Sequence, residues 1–256
     1  MQQYSRLVVV VFLSALMLSG CKNKANRQAE DLRAGESRGL LTYQELIKAK
    51  RFENFDEAFR KPHEVYKLIV YNKGLDKVPE DIKTLKNLNS LELTRNALYD
   101  LPESIHELDY LQSLYLGYNE FIEIPEVVFE LKNLKRLDFS DNPITQLDSG
   151  LLNTGHLEEF RLRRGRLKEF PVFMTEMSKL EYLILPGNNI KKVPAEIAKM
   201  KALKKLDLSN NAIEKLPEEI KELKNLEQLL IEGNKMSNRY IEDTLLPLLP
   251  GVKVHY

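Results

Sequence analysis

A single cysteine, Cys21, stands among the 256 residues, so no internal disulfide can staple the fold and stability has to come from a packed core. Net charge is missing too. Lys plus Arg and Asp plus Glu each number 38, which removes the long-range attraction that draws a chain toward nucleic acid or an anionic surface. The four histidines, His63, His106, His156 and His255, fall into no H-E-x-x-H or other zinc spacing. No G-x-G-x-x-G, Walker loop or G-x-S-x-G occurs. These absences argue against an enzyme and imply no cofactor, no metal, no small-molecule substrate and no nucleic-acid partner. Beyond residue 18 no apolar run is long enough to span a membrane.

What is present begins at the N-terminus. Met1 to Arg6 is short and polar with one positive charge, and Leu7 to Leu18 is apolar except for Ser14. That run has the length of a signal-peptide core and is too short for a membrane-spanning helix. Leu18-Ser19-Gly20-Cys21 follows. It resembles a bacterial lipobox, in which cleavage before the Cys is coupled to its acylation. The resemblance implies lipidation at Cys21, loss of residues 1–20 as a lipoprotein signal peptide, and a membrane contact through lipid alone. Several acyl chains give stable attachment. Lys22 follows the Cys where an Asp would retain an enterobacterial lipoprotein at the inner membrane. By that rule the implied location is the cell envelope, at the outer membrane.

The rest of the chain repeats. Val65, Leu88, Leu111, Leu134, Leu157, Leu180, Leu203 and Leu226 open similar phrases, each step being 23 residues. Positions 1, 4 and 6 of each unit are apolar, as in Leu88, Leu91 and Leu93. Alternation at 4 and 6 marks a short strand with one buried face. Position 9 is Asn in six of the eight units: Asn96, Asn119, Asn142, Asn188, Asn211 and Asn234. An Asn side chain both donates and accepts, so a stack of them can satisfy backbone that turns inward. Position 15 is Pro in six of the seven complete units. Pro fixes φ where the chain leaves the turn and needs no backbone N–H. Ile82, Ile105, Ile197 and Ile220 then point inward from a helical or 3₁₀ turn. No unit can bury such residues alone, whereas stacked neighbours can.

These residues resemble the leucine-rich-repeat family in its 23-residue variety with an LP-x-x-I phrase, over about Val65 to Lys235. The resemblance implies an α/β right-handed solenoid, or horseshoe, with a parallel sheet on its concave side. Together with the lipobox it points to the repeat lipoproteins of bacterial envelopes. Both ends of a solenoid need covers. Thr42-Tyr43-Gln44-Glu45 reads as a capping box opening a helix, with Leu46, Phe52, Phe55 and Phe59 as an apolar cover. At the far end Ser237 caps a helix that buries Ile241, Leu245 and Leu248 or Leu249, and Val252 to Tyr256 adds a strand. The expected organisation is therefore signal peptide 1–20, lipidated Cys and flexible tether 21–41, N-terminal helical cap 42–64, eight repeats 65–236, and C-terminal helix and strand cap 237–256. These segments leave no length for a catalytic domain.

Function in such a solenoid is expected on the concave sheet, where positions 3, 5, 7 and 8 point outward and equivalent positions stack about 4.8 Å apart. Arg161, Arg163, Arg164 and Arg166 cluster in the fifth repeat, where Gly165 replaces the ladder Asn. In the fourth, Asp148 replaces Pro and Thr154 replaces a buried Leu. The cluster has two readings. One is a site for an anionic ligand. The other is a set of exposed ion pairs, because the lateral register sets Asp138 beside Arg161, Asp141 beside Arg164 and Glu159 beside Arg136; such pairs contribute little. Only Arg163, between Ser140 and Pro186, lacks an acidic neighbour. Tyr182 and Ile184 on the sixth repeat and Tyr115 and Tyr118 on the third flank the cluster. Exposed Tyr and Arg are enriched at protein–protein hot spots. The expectation is a monomeric, non-enzymatic module that binds a protein ligand on its concave face while tethered to the envelope. Rival readings are an envelope spacer or assembly factor without a discrete ligand, a cytoplasmic signalling scaffold if the leader is no signal peptide, and a repeat-bearing ligase effector, which the missing catalytic domain and the lipobox disfavour.

Overall fold

The computed structural model describes residues 39–256. Cys21 and the leader lie outside the described residues. One parallel sheet runs through the domain, its ten strands in chain order. The first strand, β1 (Arg51–Phe52), belongs to the N-terminal cap. Eight repeat strands follow: β2 (Lys67–Ile69), β3 (Ser90–Glu92), β4 (Ser113–Tyr115), β5 (Arg136–Asp138), β6 (Glu159–Arg161), β7 (Tyr182–Ile184), β8 (Lys205–Asp207) and β9 (Gln228–Leu230). Strand β10 (Lys253–His255) closes the far edge. Each strand occupies positions 3 to 5 of its repeat, and pairing joins equal positions, as in Leu114↔Leu137↔Phe160. Between strands the chain returns through 3₁₀ turns such as Glu80–Thr84 and Glu218–Glu222, each begun by the position-15 Pro. The isoleucines 82, 105, 197 and 220 on those turns are fully buried.

The Asn ladder is continuous on both sides of one gap. Asn142 donates from Nδ2 to the Leu116 and Phe139 carbonyls at 2.9 Å, and its Oδ1 accepts the Phe121 N–H at 3.0 Å. Asn119, Asn188 and Asn211 repeat this pattern. At the gap the Ile144 N–H turns back to the Asn142 carbonyl at 2.8 Å, supplying locally the acceptor that an Asn at 165 would offer. A Cβ on Gly165 would lie 2.8 Å from Asn188 Oδ1 and 3.0 Å from Leu162, so a side chain there requires its neighbours to move. The fourth repeat's departures are also structural. Asp148 Oδ1 accepts the Gly150 N–H at 2.6 Å and caps the 3₁₀ turn in place of Pro. Thr154 is fully buried, with its hydroxyl donating to the Leu151 carbonyl at 2.8 Å.

Both ends are covered. Helix α1 (Tyr43–Lys48) starts with a capping box between Thr42 and Glu45, and α2 (Phe55–Arg60) is capped by Asn54. Phe52 is fully buried, and Phe55 stacks on Phe59 with centroids 5.5 Å apart. At the far end Ser237 Oγ accepts the Tyr240 N–H, opening α3 (Asn238–Tyr240). A π turn (Ile241–Leu245) leads into α4 (Leu246–Leu248), and Ile241, Leu245 and Leu249 are buried.

One boundary differs from the sequence reading, which assigned residues through 41 to a flexible tether. Leu41 is buried. Its N–H donates to Asn89 Oδ1 at 2.8 Å, and Gln112 Nε2 donates to its carbonyl at 2.8 Å. Asn89 Nδ2 reaches the Gly39 carbonyl at 3.3 Å, and the Arg136 guanidinium lies over the Tyr43 ring at 5.2 Å. Residues 39 to 43 therefore form a strap along the edge of repeats two to four, and the ordered cap begins at Gly39. The strap's backbone polar groups find partners there because two position-2 side chains are amides that can serve N–H and C=O alike.

Candidate functional site

The strand register brings Arg161, Arg163, Tyr182 and Ile184 together. With Glu159, Lys205 and Asp207 they line a concave depression of about 320 Å³ across repeats five to seven. A second depression of about 310 Å³ adjoins it, lined by Arg163, Arg164, Pro186, Gly187, Asp207 and Ser209 among others. Arg163 and Asp207 belong to both, so the two form one trough. Its rim carries the exposed Tyr182 ring and the Arg163 side chain.

Two expectations need correction here. Ile184 was expected to face solvent, yet it is only 9% exposed. It sits between Arg161 and Asp207, its register partners, and lines the depression with them and Tyr182. Arg161 was expected to pair with Asp138 across the strands. It pairs instead with Glu159 in its own strand, through both its Nε and a terminal nitrogen. Glu159 also faces Arg136 at 3.7 Å and so bridges two guanidinium groups. Asp138 turns to the backbone and accepts the Ser140 N–H at 2.8 Å. The Arg164–Asp141 pair forms as expected, and this hydrogen bond raises the Arg164 pKa above its ordinary value. The Arg163 guanidinium forms no ion pair among the described residues; only its backbone is held, its N–H donating to Ser140 Oγ at 3.1 Å.

Asp207 was passed over by the sequence reading. It is 7% exposed, and its Oδ1 accepts both the Ser209 N–H at 3.1 Å and the Ser209 hydroxyl at 2.7 Å. The trough thus offers an unpaired cation at its rim, an apolar floor and a buried carboxylate. The signal for Asp207 was its place at position 5, in register with Ile184 and Arg161.

The two other tyrosines lie outside the trough. Tyr115 is half-buried two strands from Arg161, and burial pushes its phenol pKa up. Tyr118 extends the site laterally. Its hydroxyl accepts from Arg164 at 2.8 Å, and Arg95 lies over its ring at 4.9 Å. Arg95 in turn lies 5.9 Å from the Tyr71 ring. A ribbon of alternating aromatic and guanidinium groups therefore borders the concave face from repeat one to repeat five. Arg95, Tyr118 and Arg164 all occupy position 8, where φ is 60°, 55° and 48°. Gly187 and Gly233 occupy the same position with φ of 70° and 68°. The turn that ends each strand requires this left-handed geometry, which suits glycine and strains a larger residue.

Among the described residues no group of three or more His, Cys, Asp or Glu is placed to hold a metal ion, and no helix is long and apolar enough to cross a membrane.

A solenoid of parallel strands and 3₁₀ turns with an Asn ladder and a concave trough is a leucine-rich-repeat domain. The family's models match the chain twice, as a leucine-rich repeat region over residues 70–183 and as leucine rich repeat over residues 178–236. The chain belongs to the leucine-rich-repeat family. Among solved structures it is similar to a leucine-rich-repeat protein of Leptospira interrogans, with 30% identity and a TM-score of 0.68. That match covers 80% of this chain and 57% of the other, so the chain spans little more than half the length of that relative. It is also similar to internalin C2 of Listeria monocytogenes, with 21% identity, a TM-score of 0.66, and coverage of 77% and 82%. The PEPR1–AtPEP1 structure matches with 21% identity, a TM-score of 0.64, and coverage of 80% and 33%. At 21% the last two show the fold alone. No curated protein matches the chain. Leucine-rich-repeat domains are generally protein-interaction scaffolds and typically non-enzymatic.

Proposed function

We propose that the chain is a non-enzymatic protein-binding module of the bacterial cell envelope, anchored by lipid on Cys21 at the outer membrane, whose protein ligand docks in the concave trough of repeats five to seven. One observation carries the docking site. Among the described residues Arg163 has no acidic partner while its neighbours Arg161 and Arg164 are both neutralised, and it stands at the rim of a trough with an apolar floor and a buried carboxylate. An unpaired guanidinium beside Tyr182 is the kind of anchor that dominates protein interfaces. The strands and ladder hold the surface preformed, so binding there orders little backbone. The anchor rests on Leu18-Ser19-Gly20-Cys21 after an apolar run of signal-peptide length. Metabolic labelling with a fatty-acid analogue tests it: wild type takes up label and Cys21→Ser does not, whereas equal labelling refutes lipidation.

For the trough, a partner captured from envelope extract is titrated against variants at two salt concentrations. Arg163→Ala and Tyr182→Ala should each weaken binding by more than about 1 kcal/mol. Arg161→Ala should weaken it less, because Glu159 already occupies that guanidinium. His106→Ala, on the convex side, should leave it unchanged. A partner that binds all four variants like wild type moves the site off the concave face and favours a spacer role.

A further inference from the structure

A further cavity lies away from the concave trough. A groove of about 1110 Å³ runs along the flank that carries positions 10 to 17 of repeats five and six. Its volume is on the scale of ligand pockets, roughly 300–1,000 Å³. Phe170, Val172, Val193, Pro194 and Pro217 form its apolar lining, and Lys168, Lys191 and Lys192 stand around it. Phe170 and Val193 are buried core residues, but Val172 is 48% exposed.

Comparison between repeats shows that this surface is not dictated by the fold. Position 16 is Glu80, Glu103, Glu126 and Glu218 in repeats one, two, three and seven, and Ser149 in repeat four. In repeats five and six it becomes Val172 and Ala195. Position 12 is Asp76, Tyr99, Ile122, Thr145 and Glu214 elsewhere, but Lys168 and Lys191 in the same two repeats. Both positions face solvent and neither contributes to the ladder or the core. Only repeats five and six thus combine an apolar residue at position 16 with a base at position 12, and these two repeats line the groove. Lys168 and Lys191 share a position in neighbouring repeats, so both line the same groove. None of Lys168, Lys191 and Lys192 forms an ion pair among the described residues. Two carboxylates also line the groove. Glu169 shares position 13 with Lys192, and Glu196 acts on Lys199, one turn further on.

We propose that this flank groove is a second docking site, for a segment of a partner protein in which an apolar side chain is flanked by carboxylates. The apolar side chain covers Val172 and Ala195, and the carboxylates pair with the position-12 lysines. The site is independent of the concave trough, which it meets only through the shared repeats.

The test uses the full chain and a labelled acidic peptide with a Leu-Phe pair at its centre, followed by amide chemical shifts and fluorescence polarisation. The expected result is saturable binding, with shifts centred on Val172 and Ala195. Lys168→Glu combined with Lys191→Glu should weaken binding at least tenfold, and so should Val172→Glu. A misfolded variant is no escape here, because Glu is the residue the solenoid already carries at position 16 in four other repeats. Arg163→Ala should leave peptide affinity unchanged, which separates this site from the trough. The proposal is overturned if the peptide does not saturate, if the flank variants bind it like wild type, or if the shifts fall on the concave face. Equal binding of an acidic peptide with alanines in place of the Leu-Phe pair also overturns it, and so does binding to phosphatidylglycerol vesicles without binding to the peptide.

Discussion

Replacing Asn142 by Ala removes the middle of the ladder, and the structure allows the cost to be worked out group by group. Asn142 is 1% exposed, so water cannot substitute for its amide without rearrangement. The Leu116 carbonyl also accepts from Asn119 at 2.9 Å and keeps that partner. The Phe139 carbonyl loses its bond from Nδ2, and the Phe121 N–H loses its acceptor. The Asn142 backbone carbonyl is already engaged by Ile144. Two buried polar groups are therefore orphaned, each costing about 1–3 kcal/mol, which gives a loss of about 2–6 kcal/mol. For a domain of this size about 1 kcal/mol moves the melting temperature by roughly 2–4 °C, so Asn142→Ala should lower it by about 4–24 °C. Asn142→Asp should be worse, because a carboxylate keeps the acceptor for Phe121 but turns negative charge on the carbonyls that the amide served. Urea melts of the two variants, read by far-UV circular dichroism, check this. A loss below about 0.5 kcal/mol for the Ala variant would refute the claim that the ladder is what satisfies the inward-turning backbone.

Two further outcomes follow from the same frame. Leu137→Ala should cost about 2–5 kcal/mol, since Leu137 is 1% exposed between Leu114 and Phe160. Ser140→Ala should stay within about 1 kcal/mol, because the Arg163 N–H it releases faces solvent; equal denaturant midpoints for the two would mean that the strand register is wrong. Tyr118→Gly should leave stability within about 1 kcal/mol of wild type, because relief of the left-handed backbone roughly offsets the lost contacts with Arg95 and Arg164; a larger drop in thermal melts would show that the ribbon stabilises the solenoid.

The fold was legible because the repeat writes its constraints eight times over. Positions 4, 6 and 9 see the same neighbours in every unit, so Leu91, Leu93 and Asn96 announce a buried strand face and a ladder without any structure. The caps were legible from local chemistry at Thr42 and Ser237. The strap was not, because its partners are position-2 residues that point sideways. A trace existed. Asn89 and Gln112 are neutral amides where later repeats carry Lys135, Glu158, Glu181 and Lys204, and those charges pair with one another, Lys204 with Glu181 at 2.8 Å and Lys135 with Glu158 at 3.6 Å. In the trough the register predicted which residues meet, but not how deep each lies or which acid a guanidinium chooses. Register fixes Cα neighbours. Burial of Ile184 and capture of Arg161 by Glu159 depend on curvature and on rotamers, which alternation does not encode.

Stability in a stacked array is close to a sum of nearest-neighbour terms, so a side chain that touches no adjacent repeat is free to change. That freedom lets the solvent-facing positions report on function once the structural ones are set aside. Asp148 and Thr154 are set aside because each serves a local backbone group, Asp148 the Gly150 N–H and Thr154 the Leu151 carbonyl. Gly165 is set aside because the ladder closes around it through Ile144 and Asn188. What remains after these subtractions lies in repeats five and six: Arg163 on the concave side, and Lys168, Lys191, Val172 and Ala195 on the flank. Neither group stabilises the solenoid through a bond the structure shows, and each departs from what the other repeats carry at the same position. Substitutions at either group therefore test ligand binding without disturbing the core beneath.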